Sequence, residues 1–143
     1  MLHDLEFRFA AGNDVSWLAR MNQELVRDEG HRNKMSLFEL EQRMSDFLRN
    51  KYEAVIVSSG RNDIGYVLYR KMPEWLYLRQ IFVIDKMRRK GIGRRIIKWL
   101  RDNPWKNCKT IRTDVLVDNT IGINFWKAVG FKDYCITMEM ENE

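Results

Sequence analysis

The stretch that decides the reading is I81-F-V-I-D-K-M-R-R-K-G-I-G-R94. It opens as the end of a β-rich run, E74-W-L-Y-L-R-Q-I-F-V-I84. It closes on two glycines one residue apart, after which Ile92, Ile96, Ile97, Trp99 and Leu100 recur at helical spacing until Pro104 stops the pattern. A strand, a short basic loop, glycines and a helix start together make a plausible anion site. Glycine lets backbone approach a ligand closely. The first amides of a helix have no intrahelical acceptor, and the helix dipole favours negative charge there. The pattern is neither GxGxxG nor GxxxxGK[ST], so the dinucleotide fingerprint and the P-loop are both excluded. On these residues alone, a solvated basic helix start and a basic nucleic-acid surface stay open beside a phosphate site. No aromatic-laced basic strip or DNA-binding motif supports the nucleic-acid reading.

Working outward, L5-E-F-R-F-A10 alternates as a strand. Asn13 is placed to cap a helix running to Arg27, with Val15, Leu18, Met21, Leu25 and Val26 near one face. A polar connection, residues 28–35, leads to Ser36-Leu37-Phe38-Glu39. That is a capping box ahead of a second stripe of Leu37, Leu40, Met44, Phe47 and Leu48. Residues 52–58 and 64–70 are β-rich and separated by SGRND, a hairpin. Downstream, residues 110–117 read as a strand, 119–129 as a helix closed by Gly130, and 131–140 as a last alternating strand. The order predicts a mixed α/β sheet with helices on both faces, and a right-handed crossover joins the parallel pair across 74–117.

The 143 residues suit one domain. Hydrophobic residues form 45% and charged residues 31%, a soluble globular composition, and no apolar run approaches the ~20 residues of a membrane span. The N-terminus lacks the layout of a signal peptide, so a cytoplasmic location is expected. Cys108 and Cys135 form no CxxC and only two histidines are present, so no metal site is expected. The net charge of +5 favours anionic ligands modestly.

The segment 81–94 resembles the acetyl-CoA motif of the GNAT superfamily of N-acetyltransferases: a strand end, then Arg/Gln-x-x-Gly-x-Gly/Ala opening a helix. N119-T-I-G-I-N-F-W-K-A-V-G-F131 is similar to the family's second motif. The resemblance implies the fold β-α-α-β-β-β-α-β-α-β with parallel central strands that splay apart, and acetyl-CoA as cosubstrate. It implies that the backbone of Ile81, Phe82 and Val83 pairs with the pantetheine arm. The amides and charges of Arg88, Arg89, Lys90, Gly91, Ile92, Gly93 and Arg94 would hold the pyrophosphate. Asn119 matches a family Asn near the pantetheine, and it reads equally as a helix N-cap. Trp126 stands where many relatives carry the Tyr that protonates the leaving thiolate, and an indole is no acid at neutral pH. Gly122 replaces the usual Ala. Tyr77 and Tyr134 are substitute acids.

An amine needs a base before it attacks. Asp114, five residues before Asn119, matches the spacing of the base in ribosomal-protein alanine acetyltransferases, and an ion pair with Arg79 or Arg112 is the alternative. On the acceptor side Asp28, Glu29 and His31 could draw in a cationic amine. Tyr77, Arg79 and Gln80 could line the pocket floor, with Arg79 on a substrate carboxylate. The expectation is direct acetyl transfer to a primary amine of a small molecule or peptide by a monomer or homodimer, without nucleic-acid or membrane partners. The alternative is an acyl-CoA-binding module with little turnover.

Overall fold

The computed structural model describes residues 4–30 and 32–142. Strand β1 (Leu5–Phe9) leads through a 3-10 turn, Gly12–Asp14, into α1 (Val15–Asp28), and α2 (Leu37–Arg49) follows. The strands β2 (Tyr52–Ser59), β3 (Asn62–Lys71) and β4 (Leu76–Val83) come next, then α3 (Ile92–Asp102), β5 (Ile111–Thr113) and α4 (Thr120–Ala128). The sheet order is β1-β2-β3-β4-β5, antiparallel except for the parallel β4–β5 pair.

The central strands are apolar on both sides because both sides are covered. Val55, Val57, Val67, Tyr69, Leu76 and Leu78 pack against Ile92, Ile96, Ile97 and Leu100 of α3 and against Trp105. Ala54, Ile56, Tyr66, Leu68 and Phe82 face Leu18 of α1 and Met44 of α2. The Ser36–Glu39 capping box forms in both directions, at 3.2 and 2.9 Å. Gly65 is required where β3 and β4 pair, because a Cβ there would lie 2.4 Å from the Phe82 carbonyl oxygen.

Three expectations are corrected. Asn13 does not cap α1. Asp14 precedes the helix, and its carboxylate accepts from the Ala11 amide at 2.8 Å and pairs with Arg8 at 2.9 Å. The strand expected over 110–117 closes after Thr113, so Asp114 follows the strand instead of lying within it. Residues 131–140 form no strand. Their alternation survives as exposed Tyr134, Ile136, Met138 and Met140, but a strand needs a ladder partner, and β5 spends its three residues on β4.

Gly65→Ala should cost about 1–3 kcal/mol, as overpacking does, read as a lower urea midpoint. An unchanged midpoint would contradict the close β3–β4 approach. The Arg8 hydrogen bonds are the largest influence on Asp14 and hold its carboxyl below the ordinary 3.8, against burial. A carboxyl depressed in the folded state contributes stability above its unfolded value and loses it as pH falls through the folded value. The unfolding free energies of wild type and Asp14→Asn should therefore differ most above about pH 5 and converge as the medium is acidified below the ordinary carboxyl range. A pH-independent difference would exclude this ion pair as the source.

Candidate active site

The site begins where two strands part. β4 and β5 pair at Leu76–Ile111, Tyr77–Arg112 and Leu78–Thr113, and nowhere beyond. At that last pair the Thr113 hydroxyl donates to the Leu78 carbonyl at 2.9 Å. On its other side β4 carries a bulge: Leu68 pairs with Gln80 and Tyr69 with Leu78, so Arg79 has no partner on β3. From Arg79 to Val83 the edge of β4 that faced β5 is left without a neighbouring strand. A row of unpaired main-chain donors and acceptors is a template for an extended ligand. Ile81, Phe82 and Val83 lie along it. Phe82 is buried toward α1 and α2, and Ile81 and Val83 pack toward α3.

β4 runs into a cradle of backbone amides. After a 3-10 turn, Asp85–Met87, the chain takes positive φ at Arg89 (62°) and Gly91 (74°), and α3 starts at Ile92 with no side-chain cap. Among the described residues none accepts a hydrogen bond from the amides of Arg89 to Arg94, and the first amide to find one is Arg95, on the Gly91 carbonyl. Free amides at a helix N-terminus, in a loop of alternating hand, make an anion site. The two glycines have different reasons to be there. Gly91 supplies the left-handed turn, whereas a Cβ on Gly93 would meet the Phe125 ring of α4 at 2.8 Å. Arg88 points away from the cradle. Its Nε donates to the Val83 carbonyl at 2.7 Å, its terminal nitrogen pairs with Asp28 at 2.7 Å, and its guanidinium lies over Phe82. Arg88 thus ties α1 to the end of β4, and Arg89, Lys90 and Arg94 remain as the exposed cations of the loop.

Asp114 stands at the mouth, on the first residue past the β4–β5 ladder, and accepts a 2.9 Å hydrogen bond from the Tyr77 hydroxyl. Burial, and then the Asp114 hydrogen bond, push the Tyr77 phenol up to about 12. Tyr77 is therefore a neutral donor that orients the carboxylate. Asn119 is the N-cap of α4, accepting from the Gly122 amide at 3.0 Å. A Cβ at Gly122 would fall 2.5 Å from the Asn119 side-chain nitrogen, so the Ala usual in the family would require the Asn119 amide to shift. Trp126 is held edge-on between Phe125 and Phe131, with ring centroids 5.0 Å apart on each side, so its indole packs. Tyr134 lies on Arg112, whose guanidinium sits over both the Trp75 and the Tyr134 rings and donates to the Tyr134 hydroxyl at 3.3 Å.

On the acceptor side Asp28 is engaged by Arg88. Glu29 stays solvent-accessible, and its carboxyl is held above the ordinary value by desolvation first and by Asp28 second. His31 lies outside the described residues. Gln80 turns inward and accepts from the buried Tyr66 hydroxyl at 2.8 Å. Arg79 lies over Phe47 and Tyr52. Sequence reasoning missed Thr113, Asn22 and Arg43. The last two carried a signal: Asn22 sits four residues after Leu18 on the apolar face of α1, and Arg43 sits between Leu40 and Phe47 on that of α2. Polar residues on a buried stripe are the informative ones. Among the described residues no cluster of His, Cys, Asp or Glu is arranged to hold a metal, and no helix is long and apolar enough to cross a membrane.

Comparison with known proteins agrees with this geometry. The chain is 29% identical over 141 residues to thialysine N-epsilon-acetyltransferase of Mus musculus, across 88% of this chain and 83% of that protein. Its fold superposes on an aminoglycoside N-acetyltransferase solved with CoA, with TM-score 0.76 and 16% identity over 99% of this chain and 96% of the other. A predicted acetyltransferase from Clostridium acetobutylicum, solved with acetyl-CoA, gives TM-score 0.74 at 18% identity over 96% of each chain. The sequence model of the acetyltransferase (GNAT) family matches residues 15–131, a span that contains the parting strands, the amide cradle and Asp114; the chain belongs to that family.

Proposed function

We propose that this protein moves an acetyl group from acetyl-CoA directly onto a primary amine, with Asp114 as the base. The observation that carries the reading is the parting of β4 from β5, which leaves an unpaired strand edge leading straight into free helix-terminal amides, with a carboxylate at its mouth. The residues present fit CoA. The edge from Arg79 to Val83 suits the amide-bearing pantetheine arm, the amides of Arg89 to Arg94 suit the pyrophosphate, and Arg89, Lys90 and Arg94 supply countercharge. When bound, acetyl-CoA supplies an activated acyl thioester. A main-chain amide on the open edge of β4 would stabilise the oxyanion that forms on attack. Asp114 takes a proton from the amine, and Tyr77 holds the carboxylate in place by its hydroxyl. Trp126 is packed between two phenylalanines, so the leaving sulfur departs as thiolate, which a pKa near ~8.5 makes tolerable. Proximity of the two substrates supplies much of the rate.

The relatives support the chemistry and differ in acceptor. One is named for thialysine and another for aminoglycosides.

The test is release of free thiol from acetyl-CoA with a panel of primary amines. Turnover with at least one is expected. Tight acetyl-CoA binding with no turnover on any amine would instead favour a binding module. Asp114→Asn keeps an acceptor for the Tyr77 hydroxyl but removes the charge. It should lower kcat by about 100-fold or more and flatten the rise of rate with pH, the behaviour of a lost general base. A full rate with an unaltered profile removes Asp114 from the mechanism.

Gly91→Glu puts a Cβ on left-handed backbone and a negative charge in the cradle. Affinity for CoA should fall by about 100-fold or more, as loss of several charge-assisted contacts does. Unchanged affinity in a folded variant would refute the cradle.

A further inference from the structure

The bulge at Arg79 also changes which way β4 presents its side chains. Leu76, Leu78, Ile81 and Val83 pack with the α3 face. Because one residue is inserted at the bulge, Arg79 and Gln80 turn consecutively toward α1 and α2, and Phe82 follows on the same side. Arg79 thereby meets Arg43 of α2. Both guanidiniums lie over the Phe47 ring, with their central carbons 4.7 and 5.5 Å from its centroid. Arg79 also makes a long 3.4 Å contact to the Tyr52 hydroxyl. Arg43 donates to the side chain of the buried Asn22 at 2.9 Å, and its Nε is buried with no acceptor among the described residues.

Two cations share this platform, and among the described residues neither has a carboxylate within ion-pair distance. Arg8, Arg32, Arg49 and Arg88, by contrast, each pair with an Asp or Glu. Arg43 is half-buried beside the exposed Arg79, and like charges gathered this way raise the energy of the empty site, which an arriving anion lowers. Arg43 feels this in the free protein, where burial first and Arg79 second hold its pKa below the ordinary value. The rigid fork of a guanidinium matches a carboxylate, and stacking on an aromatic ring holds the fork in place. The location matters as much as the charge. Arg79 is the first β4 residue beyond the last β4–β5 pair, so the cation pair flanks the mouth at which Asp114 stands.

We propose that Arg43 and Arg79 form a carboxylate-binding subsite, and that the acceptor is a small amino acid, an amine and a carboxylate in one molecule, in preference to a polyamine or an aminoglycoside. The identification of the acceptor rests on the acetyltransferase reading; the subsite itself does not. Of the two acceptor-side carboxylates that could draw in a polycation, Asp28 is engaged by Arg88, and Glu29 stays exposed.

Equilibrium binding tests the subsite without turnover. The protein, with and without saturating CoA, is titrated calorimetrically with matched pairs that differ by one carboxylate: lysine and cadaverine, ornithine and putrescine, phenylalanine and phenethylamine, glycine and methylamine. In at least one pair the amino acid should bind about tenfold or more tightly than its decarboxylated partner, the scale of a charge-assisted contact. Arg79→Gln and Arg43→Gln should each remove most of that preference, and a cooperative thermal unfolding transition close to that of the wild type reports an intact fold in each variant. Arg43→Lys, which keeps charge but not the fork, should restore part of it. If no amino acid outbinds its partner in any pair, including the case in which nothing binds, or if both Gln variants keep the preference, the subsite is refuted. A carboxylate preference without thiol release from acetyl-CoA on any amine would sink the acetyltransferase reading and leave the subsite standing. Turnover that favours the decarboxylated partners would do the reverse.

Discussion

The rest of the structure depends on one interrupted ladder. β4 and β5 are hydrogen-bonded for three residues and then separate, with the Thr113 hydroxyl on the last carbonyl they share. Parallel strands buried on both faces ordinarily stay paired, because an unpaired buried amide or carbonyl is costly. Here the edge of β4 beyond Leu78 has no such partner, and the proposed pairing with the pantetheine arm would supply one. β4 can leave β5 without unravelling because β3 still holds it from Gly65 to Lys71, and the close contact at Gly65 locks that side.

The bulge in β4 belongs to the same device. It falls one residue past the last β5 pair and directs Arg79 and Gln80 together into the space between the sheet and the first two helices. The polar residues of that space, Asn22, Arg43, Tyr66 and Gln80, are linked by hydrogen bonds, or placed beside one another, inside an otherwise apolar face. Burial puts the Tyr66 phenol far above its ordinary pKa, so it serves as a neutral donor to Gln80. Arg88 performs a related task at the far end of β4. It holds α1 against the strand while leaving the loop's other cations exposed.

Much of the architecture was legible in the residues. The capping box at Ser36, the hairpin around SGRND and the apolar stripe of α3 are local signals, and each forms where its spacing placed it. The amide cradle was equally legible, since two glycines and a helix start are enough to imply free donors. The strand after residue 130 was not. Alternation in 131–140 is real, yet pairing is a property of two segments, and no partner presents itself. Asp114 was named from its spacing but placed in mid-strand, because no single-chain signal marks where two strands stop pairing. Trp126 was identified as a departure from the family, and its edge-on packing between Phe125 and Phe131 follows from the left-handed turn at Gly130, which brings the Phe131 amide onto the Trp126 carbonyl.

The sequence by itself determined the order of elements as far as α4, the glycine loop with its free helix-start amides, and the family, because propensity, capping and glycine chemistry act over a few residues. The tertiary structure alone decided where β4 and β5 part, that the Tyr77 hydroxyl meets Asp114 from 37 positions away, and that Arg88 leaves the cradle for Asp28. It also brought Arg43 and Arg79 onto one aromatic ring. The reason is physical. A bulge of one residue reverses the facing of a strand, and that register is set by the neighbouring strand, not by the residues that must bear the consequence.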